Sequence, residues 1–76
     1  MSVMHYELWD YETGNAIDSY ATLPRALACV QEAVLREGEG TLSGLILFEV
    51  EAGGDRRLVA RDRDLIPMIE VPARAD

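Results

Sequence analysis

Lysine is absent from this chain of 76 residues, which also contains only one cysteine and one histidine. A single cysteine, Cys29, cannot form an internal disulfide, which favours a reducing compartment. With one histidine, His5, the chain has too few soft ligands for a zinc site. No apolar run approaches the ~18 residues of a membrane span, and no secretory signal is visible at the N-terminus. We therefore expect a cytoplasmic protein with no metal and no other cofactor.

The charge is one-sided, because fourteen Asp and Glu residues face seven arginines and give a net charge of −7. Such a chain repels nucleic-acid phosphates and anionic lipid headgroups, so we expect neither nucleic acid nor a membrane as a partner. A basic protein would be attracted, although solubility alone also accounts for an acidic surface. The use of arginine in place of lysine is typical of GC-rich bacterial genomes, which indicates a bacterial source.

Four of the five aromatic residues fall in one predicted β-hairpin at residues 6–20. Thr13, Gly14 and Asn15 are residues that a short hairpin loop favours. Strand alternation places His5, Glu7 and Trp9 on one side of the first strand. Aromatic side chains supply much of the contact area and binding energy of protein interfaces. The hairpin is therefore a candidate interaction surface; its aromatic residues are Tyr6, Trp9, Tyr11 and Tyr20.

One amphipathic helix follows the hairpin. Thr22 is a favourable N-cap, Pro24 fits the first helical turn, and Gly38 or Gly40 is expected to end the helix. Apolar residues then recur at helical spacing and form one stripe. The stripe consists of Leu23, Ala26, Leu27, Val30, Ala33 and Val34.

A second hairpin is predicted from residue 45 to residue 60, with a turn at 52–55. On its first strand one face is apolar throughout, whereas the other becomes acidic. We therefore expect the apolar face, Ile46, Phe48 and Val50, to pack against the helix. Residues 61–69 are predicted to form a short helix with Pro67 in its first turn, or an extended edge segment. Residues 71–76 are expected to be a loose tail of the single domain, 1–76.

The resulting fold is α+β, with the order ββαββ and a four-stranded, mainly antiparallel sheet. One long helix covers only one face of such a sheet, so the other face is exposed to solvent or contacts another molecule. That face carries either Trp9 and Tyr11 or Leu45 and Leu47. A dimer mate, or the Leu65–Ile69 segment, could cover it. The predicted interaction residues are Trp9, Tyr11, Tyr20, Leu45 and Leu47.

No group of residues predicts catalysis. Cys29 and His5 would form a nucleophile pair only within hydrogen-bond reach, and a thiol on a helix stripe is typical of packing. The glycines after the helix precede a strand, whereas phosphate-binding loops precede a helix. Asp62 and Asp64 lack the loop pattern of a calcium site. We therefore assign no catalytic and no metal-binding residue.

The segment Tyr6-Glu-Leu-Trp-Asp10, with Glu12-Thr-Gly-Asn15 and the Ala26-Leu27 helix start, resembles a group of small bacterial proteins. The resemblance covers about residues 6–37. It implies a ββα start and a bacterial source, and it implies no particular activity. A fainter similarity is to antitoxins of the HicB type, in which a strand also leads into an Ala-Leu helix.

Three functional hypotheses follow, and the last of them is an enzyme built around Cys29 or the carboxylates with a site assembled across a dimer. The first is a non-enzymatic protein-interaction module, homodimeric through the sheet face that the helix leaves uncovered. The second is an acidic protein, similar to an antitoxin or an immunity protein, that neutralises a basic partner.

Overall fold

The computed structural model describes residues 3–69, whose strands form a four-stranded antiparallel sheet in the order β2-β1-β3-β4. The strands are β1 (Val3–Asp10), β2 (Asn15–Tyr20), β3 (Leu45–Glu51) and β4 (Arg56–Arg61), and the helix α1 (Leu23–Glu37) follows β2. The predicted α+β fold with its ββαββ order is confirmed. The predicted tail, 71–76, lies outside the described residues.

The boundaries of α1 follow from local chemistry. The Thr22 hydroxyl accepts a hydrogen bond from the Arg25 amide at 3.3 Å, and Pro24 lies in the first turn. At the other end Gly38 has a φ of 91°, and its amide donates to the Val34 carbonyl at 2.7 Å. Both caps satisfy backbone groups that the helix itself leaves unpaired. Of the two glycines predicted to end the helix, Gly38 does so.

The first hairpin turns at residues 11–14. The Gly14 amide donates to the Asp10 carbonyl at 2.8 Å, and the Asp10 carboxylate accepts from the Glu12 amide at 3.0 Å. Gly14 supplies the left-handed conformation of this turn, with a φ of 75°. Asn15, which was predicted to lie in the loop, instead begins β2.

The core lies between α1 and one face of the sheet. Tyr6 and Leu8 on β1 and Leu45 and Leu47 on β3 contribute from the sheet. Two short 3₁₀ helices, Glu39–Leu42 and Asp62–Met68, close the ends of this layer with Leu42 and Leu65. The fully buried helix residues are spaced four apart, as one face of a helix requires; they are Ala26, Val30 and Val34.

The predicted packing of α1 against Ile46, Phe48 and Val50 is wrong. Leu45 and Leu47 belong to the core, whereas Ile46 and Phe48 point to the opposite face. α1 itself contacts β1 and β2, and the two leucines join the same core from β3. Farther along β3 the core-side face carries Glu49, which accepts hydrogen bonds from the Tyr6 hydroxyl and from Arg57. The acidic half of the face therefore does not prevent burial of its apolar half.

The segment after β4 is a 3₁₀ helix, with Pro67 near its end rather than in its first turn. Leu65 and Ile69 are buried in the core on the α1 side of the sheet. The arrangement in which the Leu65–Ile69 segment covers the second face of the sheet is therefore wrong. None of the helices between residues 3 and 69 combines the length and the apolar character that a membrane span requires.

Candidate functional site

Strand register defines the side chains on the sheet face opposite α1. Successive residues of a strand point to opposite faces, so the neighbours of buried Leu8 and Leu47 point away from the helix. These residues form three rows across the sheet, which we call the open face. The central row is Ser19, Glu7, Phe48 and Leu58; one flanking row is Ala16, Trp9, Ile46 and Arg61; the other, from β1, β3 and β4, is His5, Val50 and Arg56.

Glu7 lies in the central row and accepts three hydrogen bonds from its own chain. Trp9 Nε1 and Arg56 Nε donate to Glu7 Oε1 at 3.0 and 2.9 Å. His5 Nε2 donates to the other oxygen, Oε2, at 3.0 Å. These donors, with the Trp9 indole contributing most, lower the pKa of Glu7 to about 2. The carboxylate is thus ionised and satisfied while its side chain is only 18% exposed.

Arg56 reaches Glu7 across an intervening strand. Arg56 lies on β4 and Glu7 on β1, with β3 between them, so the arginine side chain passes over β3. Its guanidinium carbon also lies 5.7 Å from the centre of the Trp9 ring, a cation–π distance. Val50 stands between His5 and Arg56 in its row and is buried, with 6% exposure. Because long charged side chains cover apolar surface with their methylene groups, we expect the Arg56 stem to contribute to this burial.

The remaining apolar residues of the open face are more exposed than Val50. Trp9, Ile46 and Phe48 are half-buried, and Leu58 is 53% exposed. Because α1 and both 3₁₀ helices pack on the opposite side, no element within residues 3–69 covers this face. Neighbouring aromatic and aliphatic side chains on one sheet face are typical of an interaction surface.

The structure places the predicted interaction residues on different faces of the sheet. Trp9 is on the open face, as its alternation with His5 and Glu7 predicted. Leu45 and Leu47 are buried in the core on the α1 side of the sheet, so their placement on the uncovered face is wrong. Tyr20 also packs against the core, on the side of α1. Of the two apolar pairs considered for the second face, the structure therefore excludes the leucines.

Tyr11 lies at the end of the open face, where it joins three segments. Its hydroxyl donates to Asp62 Oδ1 at 3.0 Å, and the same oxygen accepts from the Gly44 amide at 2.9 Å. The Gly44 amide, followed by the Tyr11 hydroxyl, lowers the pKa of Asp62, and the hydrogen bond to Asp62 raises the pKa of Tyr11. The Arg61 guanidinium carbon lies 5.5 Å from the centre of the Tyr11 ring. Tyr11 therefore holds the first turn against the start of β3 and the end of β4.

The single thiol and the single imidazole are on opposite sides of the sheet. His5 is on the open face and donates to Glu7, whereas Cys29 is half-buried on α1. Among residues 3–69, no group of three or more His, Cys, Asp or Glu residues is placed to hold a metal ion.

Sequence reasoning missed Ile46, Phe48, Leu58 and Arg56 as members of this surface. The signal that could have found two of them is the pairing of β1 with β3. Once Trp9 is assigned to the open face, its partner Ile46 and the next residue on the same face, Phe48, must join it. Comparison of the chain with protein-family models, curated proteins and solved structures found no match.

Proposed function

We propose that this chain is a protein-interaction module that forms a homodimer through the open face. The observation that supports this proposal is the arrangement of side chains in rows across that face. Apolar side chains, among them Trp9, Ile46 and Phe48, surround a carboxylate already neutralised by its own chain. No described element covers them.

The two edges of the sheet are poorer candidates for association. β4 carries three arginines in six residues, and charged edge strands resist pairing with another strand. β2 is interrupted by a bulge at Ile17, and the Asp18 carboxylate accepts a hydrogen bond from the Ser19 amide at 2.8 Å. Bulges and side-chain caps of this kind also block strand addition. Association through a face is therefore favoured over association through an edge.

The charge distribution favours a second copy of this chain as the partner that binds the open face. The chain has a net charge of −7, so two copies repel each other through most of their surfaces. The open face carries one carboxylate, Glu7, and two arginines, and Glu7 is paired with Arg56. Two copies that meet through this face keep their acidic surfaces apart. A basic partner, by contrast, is attracted most strongly to the acidic surfaces elsewhere.

The size of the open face sets the expected affinity. With strands about 4.8 Å apart and residues of one face about 6.7 Å apart along a strand, the three rows cover on the order of 400 Å². A stable interface buries about 800 Å² on each partner. The interface is therefore expected to be small, and the concentration series must extend high enough to detect a weak dimer.

Sedimentation equilibrium between about 1 and 500 μM tests this proposal. Leu58 and Leu35 provide a matched pair of variants, since they are 53% and 57% exposed on opposite sides of the molecule. Leu58→Asp places a charge on the open face and is expected to give a monomer, whereas Leu35→Asp on α1 should associate like the wild type. Circular dichroism checks that both variants fold.

Three outcomes contradict the homodimer. The first is a wild-type chain that remains a monomer at the highest concentration. The second is loss of association in Leu35→Asp but not in Leu58→Asp. The third is a partner captured at low salt and released at high salt while the chain alone stays monomeric, because self-association of an acidic chain strengthens as salt screens repulsion. That third result would support the basic-partner hypothesis.

A further inference from the structure

We propose that the Glu7–Arg56 ion pair determines whether the open face can associate with a second copy. This inference rests on the proposed homodimer. It gives Arg56 a specific role in dimer association, distinct from any general contribution to solubility or folding.

The position of Glu7 makes its charge important for association. Glu7 lies in the central row of the open face and on an inner strand of the sheet. A two-fold symmetric dimer places the centre of a patch against the same patch of the other copy. Face-to-face association therefore removes the Glu7 carboxylate from water and brings two copies of it close together. An unpaired carboxylate in that position strongly opposes association.

Arg56 removes this obstacle within each chain. It contacts Glu7 Oε1 at 2.9 Å, and together with Trp9 and His5 it satisfies both carboxylate oxygens. The carboxylate therefore needs no donor from the partner. The Arg56 side chain is 49% exposed, so it lies at the surface where a second copy would meet it. The pair is thus a neutral, pre-formed part of the interface.

Arg57 provides a control of equal charge on the same strand. It is ion-paired with Glu49 at 3.1 Å, on the face that carries α1. Arg56→Met and Arg57→Met both make the chain more acidic by one charge. Only Arg56→Met leaves an unneutralised carboxylate on the open face, and methionine keeps a long, unbranched side chain at this position.

The experiment compares dimer dissociation constants of four proteins by sedimentation equilibrium at one salt concentration. Arg56→Met is expected to weaken the dimer at least about 10-fold, as removal of one member of a buried charge pair does. Arg57→Met should stay within about 3-fold of the wild type, as expected for an exposed ion pair outside the interface. The double variant Glu7→Gln/Arg56→Met, which removes both charges, should recover most of the loss. Urea denaturation of each variant checks that folding is retained.

The possible results distinguish this inference from the proposed function. A monomeric wild type overturns both. A wild-type dimer that Arg56→Met and Arg57→Met weaken equally leaves the homodimer intact and overturns the role of Arg56. A double variant as weak as Arg56→Met shows that the loss arises from packing and not from the uncompensated charge, which also overturns the inference.

Discussion

The Nε atom of Arg56 lies 2.9 Å from Oε1 of Glu7, although β3 separates the strands on which the two residues stand. This contact joins residues 49 positions apart in the chain. It ties an edge strand to an inner strand through side chains, in addition to the backbone ladder. The same arginine lies over the Trp9 ring, so one side chain contacts both the carboxylate and the indole of the open face.

Acid is expected to destabilise the protein through Glu7. Its pKa is about 2 in the folded chain, below the ordinary value of 4.5. The stabilisation is therefore complete above about pH 4.5 and is lost as the pH falls toward 2. A shift of this size corresponds to at most about 3 kcal/mol, and solvent around the exposed Arg56 reduces this contribution. Urea denaturation at neutral and at acidic pH should show a smaller acid-induced loss for Glu7→Gln than for the wild type.

The exposed Glu32 on α1 provides the control for this prediction. Glu32→Gln should keep the acid sensitivity of the wild type. If Glu7→Gln is as sensitive to acid as Glu32→Gln, other carboxylates account for the acid denaturation.

Adjacent residues on β3 are expected to differ in their contribution to stability. Leu47→Ala removes a fully buried side chain from the core and should cost about 2–5 kcal/mol. Phe48→Ala truncates a half-buried side chain on the open face and should cost about 1–2 kcal/mol in the monomer. Denaturant unfolding at low protein concentration measures both values. A larger loss for Phe48→Ala than for Leu47→Ala would contradict the assignment of the two faces.

Leu47 and Phe48 also show how much of the fold can be predicted from the sequence. Caps and periodicity predict the order of the elements and the helix stripe, because these signals lie within one segment. The covered face of β3 depends on tertiary packing. Leu45 and Leu47 belong to the core, whereas Glu49 on the same face pairs with Arg57. Alternation along the strand therefore cannot identify the buried face.

The candidate site was predictable only where it lies on a single strand. Alternation along β1 correctly groups His5, Glu7 and Trp9. Arg56 joins them through strand order and through bulges in the ladders, which no local pattern specifies. The Glu7–Arg56 ion pair could therefore not be predicted from the spacing of residues along the sequence.

Gly44→Ala is expected to destabilise the protein by about 1–3 kcal/mol. Gly44 has a φ of 93°, and an added Cβ would lie 3.2 Å from Asp10 Oδ1 and from Glu12 Cγ. Gly40→Ala is the control, because its backbone is not left-handed and an added Cβ meets no atom within 4 Å. That variant should be neutral or gain up to about 1 kcal/mol through reduced entropy of the unfolded chain. Equal effects of the two substitutions in thermal melts would contradict this prediction.

Removal of the Tyr20 hydroxyl is expected to leave stability unchanged or to raise it by about 1–2 kcal/mol. The hydroxyl is buried with no hydrogen-bond partner, and an unsatisfied buried polar group carries a desolvation cost of this order. Burial, followed by the neighbouring Cys29 thiol, raises the pKa of Tyr20, but the thiol does not reach hydrogen-bond geometry with it. Tyr11→Phe is the matched substitution, because the Tyr11 hydroxyl donates to Asp62, and its removal should lower stability. Urea denaturation at neutral pH should therefore show a loss of stability for Tyr11→Phe and no loss for Tyr20→Phe. A loss of stability in Tyr20→Phe that Cys29→Ala reproduces would instead show that the hydroxyl and the thiol interact in solution.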